Sequence, residues 1–361
     1  MLPSWTNNNR LHIFVFAVKR GLAVFIRLPN NVGVIYDLGG GESFSPVEFI
    51  DEKIIGHLTQ YDGHNIAQLL VSHPHADHIQ QASEINCRSP RLRPALVTLP
   101  HDVGSNTTAD ERVDFTRIEN GDNEELISEY KKLYDNRKPP LRTIDPETLS
   151  DRTEDLEYGF YYMRPPKVAI EQPNNDHHYG NGLSFCLWLR YGKHSVWIPG
   201  DITPEVHKKV IHGADSVERR IVGHDVDGHQ YPHRYHTETK DQPSPNELFR
   251  KNGLSVLVAP HHGLESCFPD VLFDSLPDGR VRAAIVSEKR HTGASDGTVD
   301  SRYLSSDYVD GVSVDKEGAH IKLRRVSTAS DHHILISLDR NKRDPTIVMR
   351  KDALELLASA Q

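Results

Sequence analysis

Residues Gln68 to Ile79, QLLVSHPHADHI, decide how this chain folds. The first five read as a buried strand, a short aliphatic run of the kind a covered sheet requires. His73, His75, Asp77 and His78 follow at once, four candidate ligands at one strand end. On extended backbone His73 and His75 are two apart and project to the same side, while Asp77 and His78, opening a following helix, turn toward a second centre. The spacing HxHxDH therefore predicts a place for two metal ions.

Upstream, Leu11–Val18, Leu22–Leu28 and Val32–Asp37 are β-branched and aromatic runs separated by Gly21 and Asn30-Asn31, which predicts a strand meander. A turn, DLGGG, and a helical apolar spacing over Val47–Leu58 lead into the strand at Gln68. Downstream, Leu183–Leu189, Ser195–Ile198, Leu254–Ala259 and Arg282–Ser287 read as further buried strands. Pro204–His212 reads as a helix with Thr203 as its cap, and a last helix is expected over Lys351–Ala360. This alternation predicts an α/β protein. Two of the later strands end in chemistry. SVWIPGD places Asp201 after Gly200, where a sharp turn can present a carboxylate able to bridge two cations. The strand LSVLV ends in Ala259-Pro260-His261-His262-Gly263, where one histidine is expected to bind metal and the other to face substrate, without the sequence deciding which.

The 361 residues carry 42 Lys+Arg against 51 Asp+Glu, a net charge of −9, so no global basic field favours polyphosphates. Residues 102–157 hold sixteen acidic and eight basic residues, which accounts for nearly all of that charge. Residues 102–160 are expected to be a surface insertion or cap. Within it Leu126, Tyr130 and Leu133 form a helical stripe, and its acidity offers a possible protein partner a surface. Cys87, Cys186 and Cys267 form no CxxC pair, so neither a disulfide framework nor a thiolate zinc site is suggested. The longest apolar stretch, Leu11–Leu28, is broken by Lys19-Arg20, and the amino terminus lacks a secretory pattern; a cytoplasmic protein with no membrane span is expected. GGGES at Gly39–Ser43 lacks the spacing and lysine of a phosphate loop, which argues against nucleotide-dependent phosphoryl transfer.

The 22 histidines make up about 6% of the chain. His224, His229, His233 and His236 have spacings that match no closed zinc module and are expected in a loop near the site. His101, His194, His332 and His333 read as non-functional.

Taken in order, HxHxDH, GD and HHG resemble the metallo-β-lactamase fold superfamily, more closely its branch related to the soluble domain of the DNA-uptake protein ComEC. The likeness spans most of the chain. It includes IYDLGG after the opening strands, Asn181–Leu189 (NGLSFCLWL) as an Asn-x-x-Ser strand before GD, and the strand ending at Ser287. Two landmarks differ: a glycine-rich GQGD is replaced by Val18-Lys19-Arg20-Gly21, and a late GHPH element is reduced to His291. The wider superfamily has a further histidine before the GD strand, a place that His178, or else His177, can fill.

The resemblance implies a four-layered αβ/βα sandwich (metallo-β-lactamase fold) forming a single domain over residues 1–361, holding two divalent metal ions, Zn or Mn. The metal set is then His73, His75, Asp77, His78, His178, Asp201, His261 and His262, with Asp77, His261 and His291 in catalytic roles. A hydroxide shared between the metals is the expected nucleophile. The expected activity is that of a nuclease or phosphodiesterase acting on DNA or a nucleotide, with Lys19-Arg20 and Lys289-Arg290 available to position phosphates. Hydrolysis of a small thioester, ester or lactam, or a non-catalytic metal-binding regulatory module, are the alternatives.

Overall fold

The structure is a computed structural model that describes residues 10–18, 21–41, 44–60, 63–88, 90–100, 113–118, 124–135, 156–214, 217–223, 243–288 and 298–360. In chain order its strands are β1 (Arg10–Val15), β2 (Val24–Arg27), β3 (Gly33–Tyr36), β4 (Ile66–Leu70), β5 (Pro94–Thr98), β6 (Leu156–Met163), β7 (Cys186–Tyr191), β8 (His194–Ile198), β9 (Val217–Gly223), β10 (Val256–Val258), β11 (Ala283–Val286), β12 (Val312–Lys316), β13 (Ala319–Leu323), β14 (Arg325–Ser327), β15 (His333–Asp339) and β16 (Thr346–Arg350). They form a nine-stranded sheet in the order β13-β12-β16-β15-β1-β2-β3-β4-β5 and a seven-stranded sheet in the order β14-β11-β10-β8-β7-β6-β9.

Alternation along each strand explains why both sheets are apolar on two faces. In β1, Leu11, Ile13 and Val15 enter the core between the sheets with Leu187, Leu189, Val196 and Ile198. Phe14 points the other way, into an outer layer that includes Val47, Ile50, Ile79, Leu356 and Leu357. On the far side, Trp188 and Trp197 of the second sheet meet Val206, Val210, Leu248 and Phe249 from its covering helices. The result is the αβ/βα sandwich that the resemblance implies.

The helix Pro204–His212 has the expected bounds, with Thr203 extended (φ −71, ψ 151) and Gly213 left-handed (φ 66) at its end. Three expectations are corrected. The apolar run Val47–Leu58 is helical but not uniformly so: an α-turn Pro46–Phe49 widens into a π segment Ile50–Ile54 and tightens to a 3-10 turn Ile55–His57. Strand β7 begins at Cys186 rather than Leu183, because Asp176–Gly182 is a helix whose cap, Asn175, accepts a hydrogen bond from His178 N at 2.9 Å. Residues 156–160 belong to β6 and so to the sandwich itself. Of residues 102–155, the described parts are 113–118 and the helix Glu124–Asp135, whose Tyr130 and Leu133 are buried in the outer layer with Ala82 and Ile85. Among the described residues, no helix is long and apolar enough to cross a membrane.

Strand direction determines where chemistry can gather. β3 and β4 run parallel in one sheet, and β8, β10 and β11 run parallel in the other. Their carboxyl ends meet across the sandwich, as two hydrogen bonds show: Phe185 N donates to Ser72 O at 3.0 Å, and the Tyr36 hydroxyl donates to Phe185 O at 2.8 Å. Residues that follow these strands therefore converge on one edge.

Candidate metal centre

His73 and His75 lie on the extended segment after β4, and Asp77 and His78 lie in the first turn of the helix Ala76–Ile79, with His75 at its cap position. Asp201 follows β8 through Gly200, whose φ of 63° is left-handed and whose missing Cβ would stand 2.8 Å from Ser72 Cβ. Only glycine fits there. His261 (φ 46, ψ 53) and His262 (φ 57, ψ 19), after β10, are both left-handed, a costly conformation for two consecutive side-chain-bearing residues. The turn is held by His261 N donating to Gly200 O at 3.2 Å and Asp300 N donating to Gly263 O at 2.9 Å.

The ligand atoms of Asp77, His78, Asp201 and His262 all lie within 4.8 Å of one another. Asp201 Oδ2 is 3.2 Å from His78 Nε2, 3.3 Å from His262 Nε2 and 3.8 Å from His261 Nε2, while His262 Nε2 is 3.5 Å from Asp77 Oδ2. Beside this quartet, His73 Nε2 and His75 Nδ1 approach to 3.1 Å. The structure thus brings together His73, His75, Asp77, His78, Asp201, His261 and His262. For the remaining position it favours His177 over His178. His177 stacks on His75 (centroids 5.1 Å, planes 9° apart) and lies 5.9 Å from His261, whereas the ring contact of His178 is with His177. Helical phase is the reason: residues 177, 180 and 181 share one face, and a Cβ on Gly180 would fall 2.3 Å from His75 Nε2. His291, Lys19-Arg20, Lys289-Arg290 and the segment His224–His236 lie outside the described residues. His194 and His333 serve structure, His194 Nε2 lying 3.0 Å from Asp339 O and His333 accepting from Ala17 N at 3.2 Å.

Partners on the far side of each ring fix which nitrogen faces the centre. Asp37, just after β3, accepts from Ser72 N at 2.6 Å and Ser72 Oγ at 2.7 Å, and its Oδ2 lies 2.7 Å from His78 Nδ1. A carboxylate only accepts, so His78 Nδ1 carries a proton and Nε2 is the nitrogen turned toward the centre, where a cation would take the place of its proton. Because Ser72 Oγ gives its proton to Asp37, its oxygen accepts from His73 Nδ1 at 3.0 Å, and His73 Nε2 is left bare. The carbonyl of Ser287 does the same for His262 Nδ1 at 3.0 Å. Sequence reading gave Asp37, within IYDLGG, and Ser287 only as landmarks of the resemblance and assigned neither these nor Ser72 to the site; each lies one residue or two beyond a buried strand.

Among the described residues, His75 Nε2 is buried without a hydrogen-bond partner, and His78 Nε2 and His262 Nε2, also buried, face Asp201 Oδ2 at 3.2 and 3.3 Å without hydrogen-bond alignment. Electrostatics point the same way. Burial works against the charge of Asp201, yet the imidazoles of His78, His262 and His261 hold its pKa well below the usual range. Reciprocally, against the penalty of burial, Asp201, Asp37 and Asp77 hold His78 well above its ordinary value, and Asp201 and Asp77 lift His262 to about 10. Protons on these two rings supply the positive charge that the buried carboxylates demand, and a divalent cation offers the same charge in their place. His73 is held well below its ordinary value by burial and His75 is lowered to about 4 by burial, so both are neutral and ready to ligate at pH 7. An imidazole and carboxylate set without thiolate fits zinc or manganese. The buried thiols take no comparable part: burial pushes Cys186 well up and Cys267 to about 11.

No family model and no curated protein matches the chain. Similar solved structures include the metallo-β-lactamase fold protein YhfI from Bacillus subtilis, at 10% identity over 83% of this chain and 95% of that one with a TM-score of 0.34. The diiron β-hydroxylase CmlA from Streptomyces venezuelae is similar at 13% identity over 73% of this chain and 46% of that one, with a TM-score of 0.28. A variant of the CmlA β-hydroxylase gives 15% identity, 73% and 49% coverage and a TM-score of 0.30. Likeness at this level carries no argument about ligands or substrate, and the candidate centre rests on its own geometry.

Proposed function

We propose that this chain is a metal-dependent hydrolase of the metallo-β-lactamase fold superfamily that uses two divalent cations to cleave phosphodiesters, in DNA or in a nucleotide. The observation that carries the proposal is the convergence of HxHxDH, Asp201 and His262 on one buried cluster, with the Nε2 atoms of His78 and His262 facing two carboxylates. One cation would be held by His73, His75 and His177, the other by Asp77, His78 and His262, with Asp201 shared. Bound there, they would polarise a phosphoryl oxygen and acidify water. Asp37, Ser72 and Ser287 fix the ring orientations in advance, and Gly180 and Gly200 leave room for the close approach of His75 and Ser72. The phosphodiester class is supported by the order of sequence motifs, IYDLGG, HxHxDH, Asn-x-x-Ser, GD and HHG, similar to that of the ComEC-related branch.

The test is metal analysis joined to two assays. Near two equivalents of metal per chain are expected, lost in a His73→Ala/Asp77→Ala variant. Hydrolysis of bis-p-nitrophenyl phosphate with zinc or manganese is expected and should vanish in that variant. Turnover of a thioester alone would replace the substrate class, and metal retained by the double variant would overturn the centre itself.

A further inference from the structure

We infer that Cys267 is a positioning residue: its thiol donates to His261 Nδ1, fixing His261 as an Nε2–H donor to a substrate oxygen and leaving metal binding to His262. This rests on the hydrolase reading above and deepens it at one turn of the chain.

His261 and His262 are adjacent, both left-handed, and face opposite kinds of partner. Behind His262 stands a carbonyl, Ser287 O, which can only accept; behind His261, 3.1 Å from Nδ1, stands the sulfur of Cys267. A ligand at His261 Nε2 would need its Nδ1 to carry the proton and give it to sulfur, a weak acceptor. The opposite arrangement, S–H toward the nitrogen lone pair, pairs the thiol with an imidazole nitrogen, a better acceptor than sulfur. Ser266 Oγ, 3.7 Å from the same sulfur, is placed to donate to it and leave the thiol hydrogen for His261. The proton of His261 then sits on Nε2. That atom lies 3.8 Å from Asp201 Oδ2, beyond hydrogen-bonding reach, on a side chain that is 16% exposed. Two neighbouring histidines thus hold opposite tautomers, one aimed at cations and one at the oxygen on which charge builds.

The experiment uses the full chain, labelled with ¹⁵N-histidine and loaded with zinc, and long-range ¹H–¹⁵N spectra in which His261 is assigned by its loss in His261→Gln. The protein and its Cys267→Ser variant should show His261 protonated at Nε2 with Nδ1 bare, and Cys267→Ala should show the two tautomers mixed. His261 protonated at Nδ1, or with Nε2 on zinc, would overturn the inference, as would an unchanged tautomer in Cys267→Ala. In parallel, kcat on bis-p-nitrophenyl phosphate should fall about tenfold in Cys267→Ala with KM and zinc content unchanged, part of the 10²–10³ that losing a charge-stabilising donor costs, and recover in Cys267→Ser. Loss of zinc in Cys267→Ala, or full kcat, would count against it. If the protein cleaves no phosphodiester at all, the substrate reading fails, and the spectra still decide the role of Cys267.

Discussion

Replacing Asp37 by Asn changes one atom and should disturb both the metal and the fold. Three donors converge on the carboxylate, from Ser72 N, Ser72 Oγ and His78 Nδ1 at 2.6 to 2.7 Å. An amide offers one accepting oxygen, so its NH₂ must face at least one of these donors. If it replaces Oδ2, His78 loses the acceptor that keeps its proton on Nδ1, and Ser72 must turn its hydroxyl away from the arrangement that orients His73. If it replaces Oδ1, the buried Ser72 N–H is left facing a donor. Loss of an orienting partner behind a ligand weakens metal binding about 10- to 100-fold, or roughly 1.4–2.7 kcal/mol. An unsatisfied buried donor costs a further 1–3 kcal/mol or so of fold stability. Competition against a zinc chelator measures the first, and urea unfolding of the metal-free protein the second. An Asp37→Asn protein that binds zinc as tightly as the original would refute the tautomer scheme on which the candidate centre rests.

In Gly180→Ala the new methyl would meet His75 Nε2 at 2.3 Å, so bound zinc should drop from near two to near one equivalent, the Asp77, His78, Asp201 and His262 quartet being untouched; two equivalents by elemental analysis would contradict this. Arg117 reaches the helix that carries His177, donating to Asp176 Oδ1 at 2.8 Å and Gln172 O at 2.5 Å and lying 4.4 Å over the Tyr179 ring. Arg117→Ala should speed hydrogen exchange at 176–182 by about tenfold, equivalent to roughly 1.4 kcal/mol of local stability, and unchanged exchange there would count against a bracing role. His207 is buried, accepts from Trp197 Nε1 at 3.1 Å, and has its pKa lowered to about 3 by burial. It is neutral in the fold and protonates near 6.5 once unfolded, so its contribution is intact above pH 6.5 and is lost at about 1.4 kcal/mol per pH unit as pH falls toward 3. His207→Gln keeps an acceptor without the titration and should flatten that part of the stability profile in chemical unfolding; an equally steep acid loss would show that other groups set it.

The parts of the centre that sequence makes legible are those in which a local pattern carries the geometry. HxHxDH is readable because strand, turn and helix start lie within a dozen residues, and Asp201 and His261-His262 because each follows an apolar run. The choice between His177 and His178 is not readable in this way. DHHYGNG has no apolar periodicity to reveal a helix, so its phase is invisible, and the one local sign is Asn175 as a cap. Roles at His261 and His262 depend on left-handed backbone and on partners 6 and 25 residues away, which no spacing rule supplies. Asp37 is legible as a strand end, but its duty toward His78 exists only because β3 pairs in parallel with β4 and sets it beside Ser72.

The candidate ligands divide between the two halves of the sandwich: His73, His75, Asp77 and His78 follow the nine-stranded sheet, while Asp201 and His262 follow the seven-stranded one. Neither half alone owns a complete set, so tight cation capture belongs to the end of maturation, after the layers have docked. Cations held there would act as rivets between sheets whose sequence partners are far apart, and stripping them should loosen the seam before it melts either sheet. Metal supply would then govern the lifetime of this protein as well as its turnover.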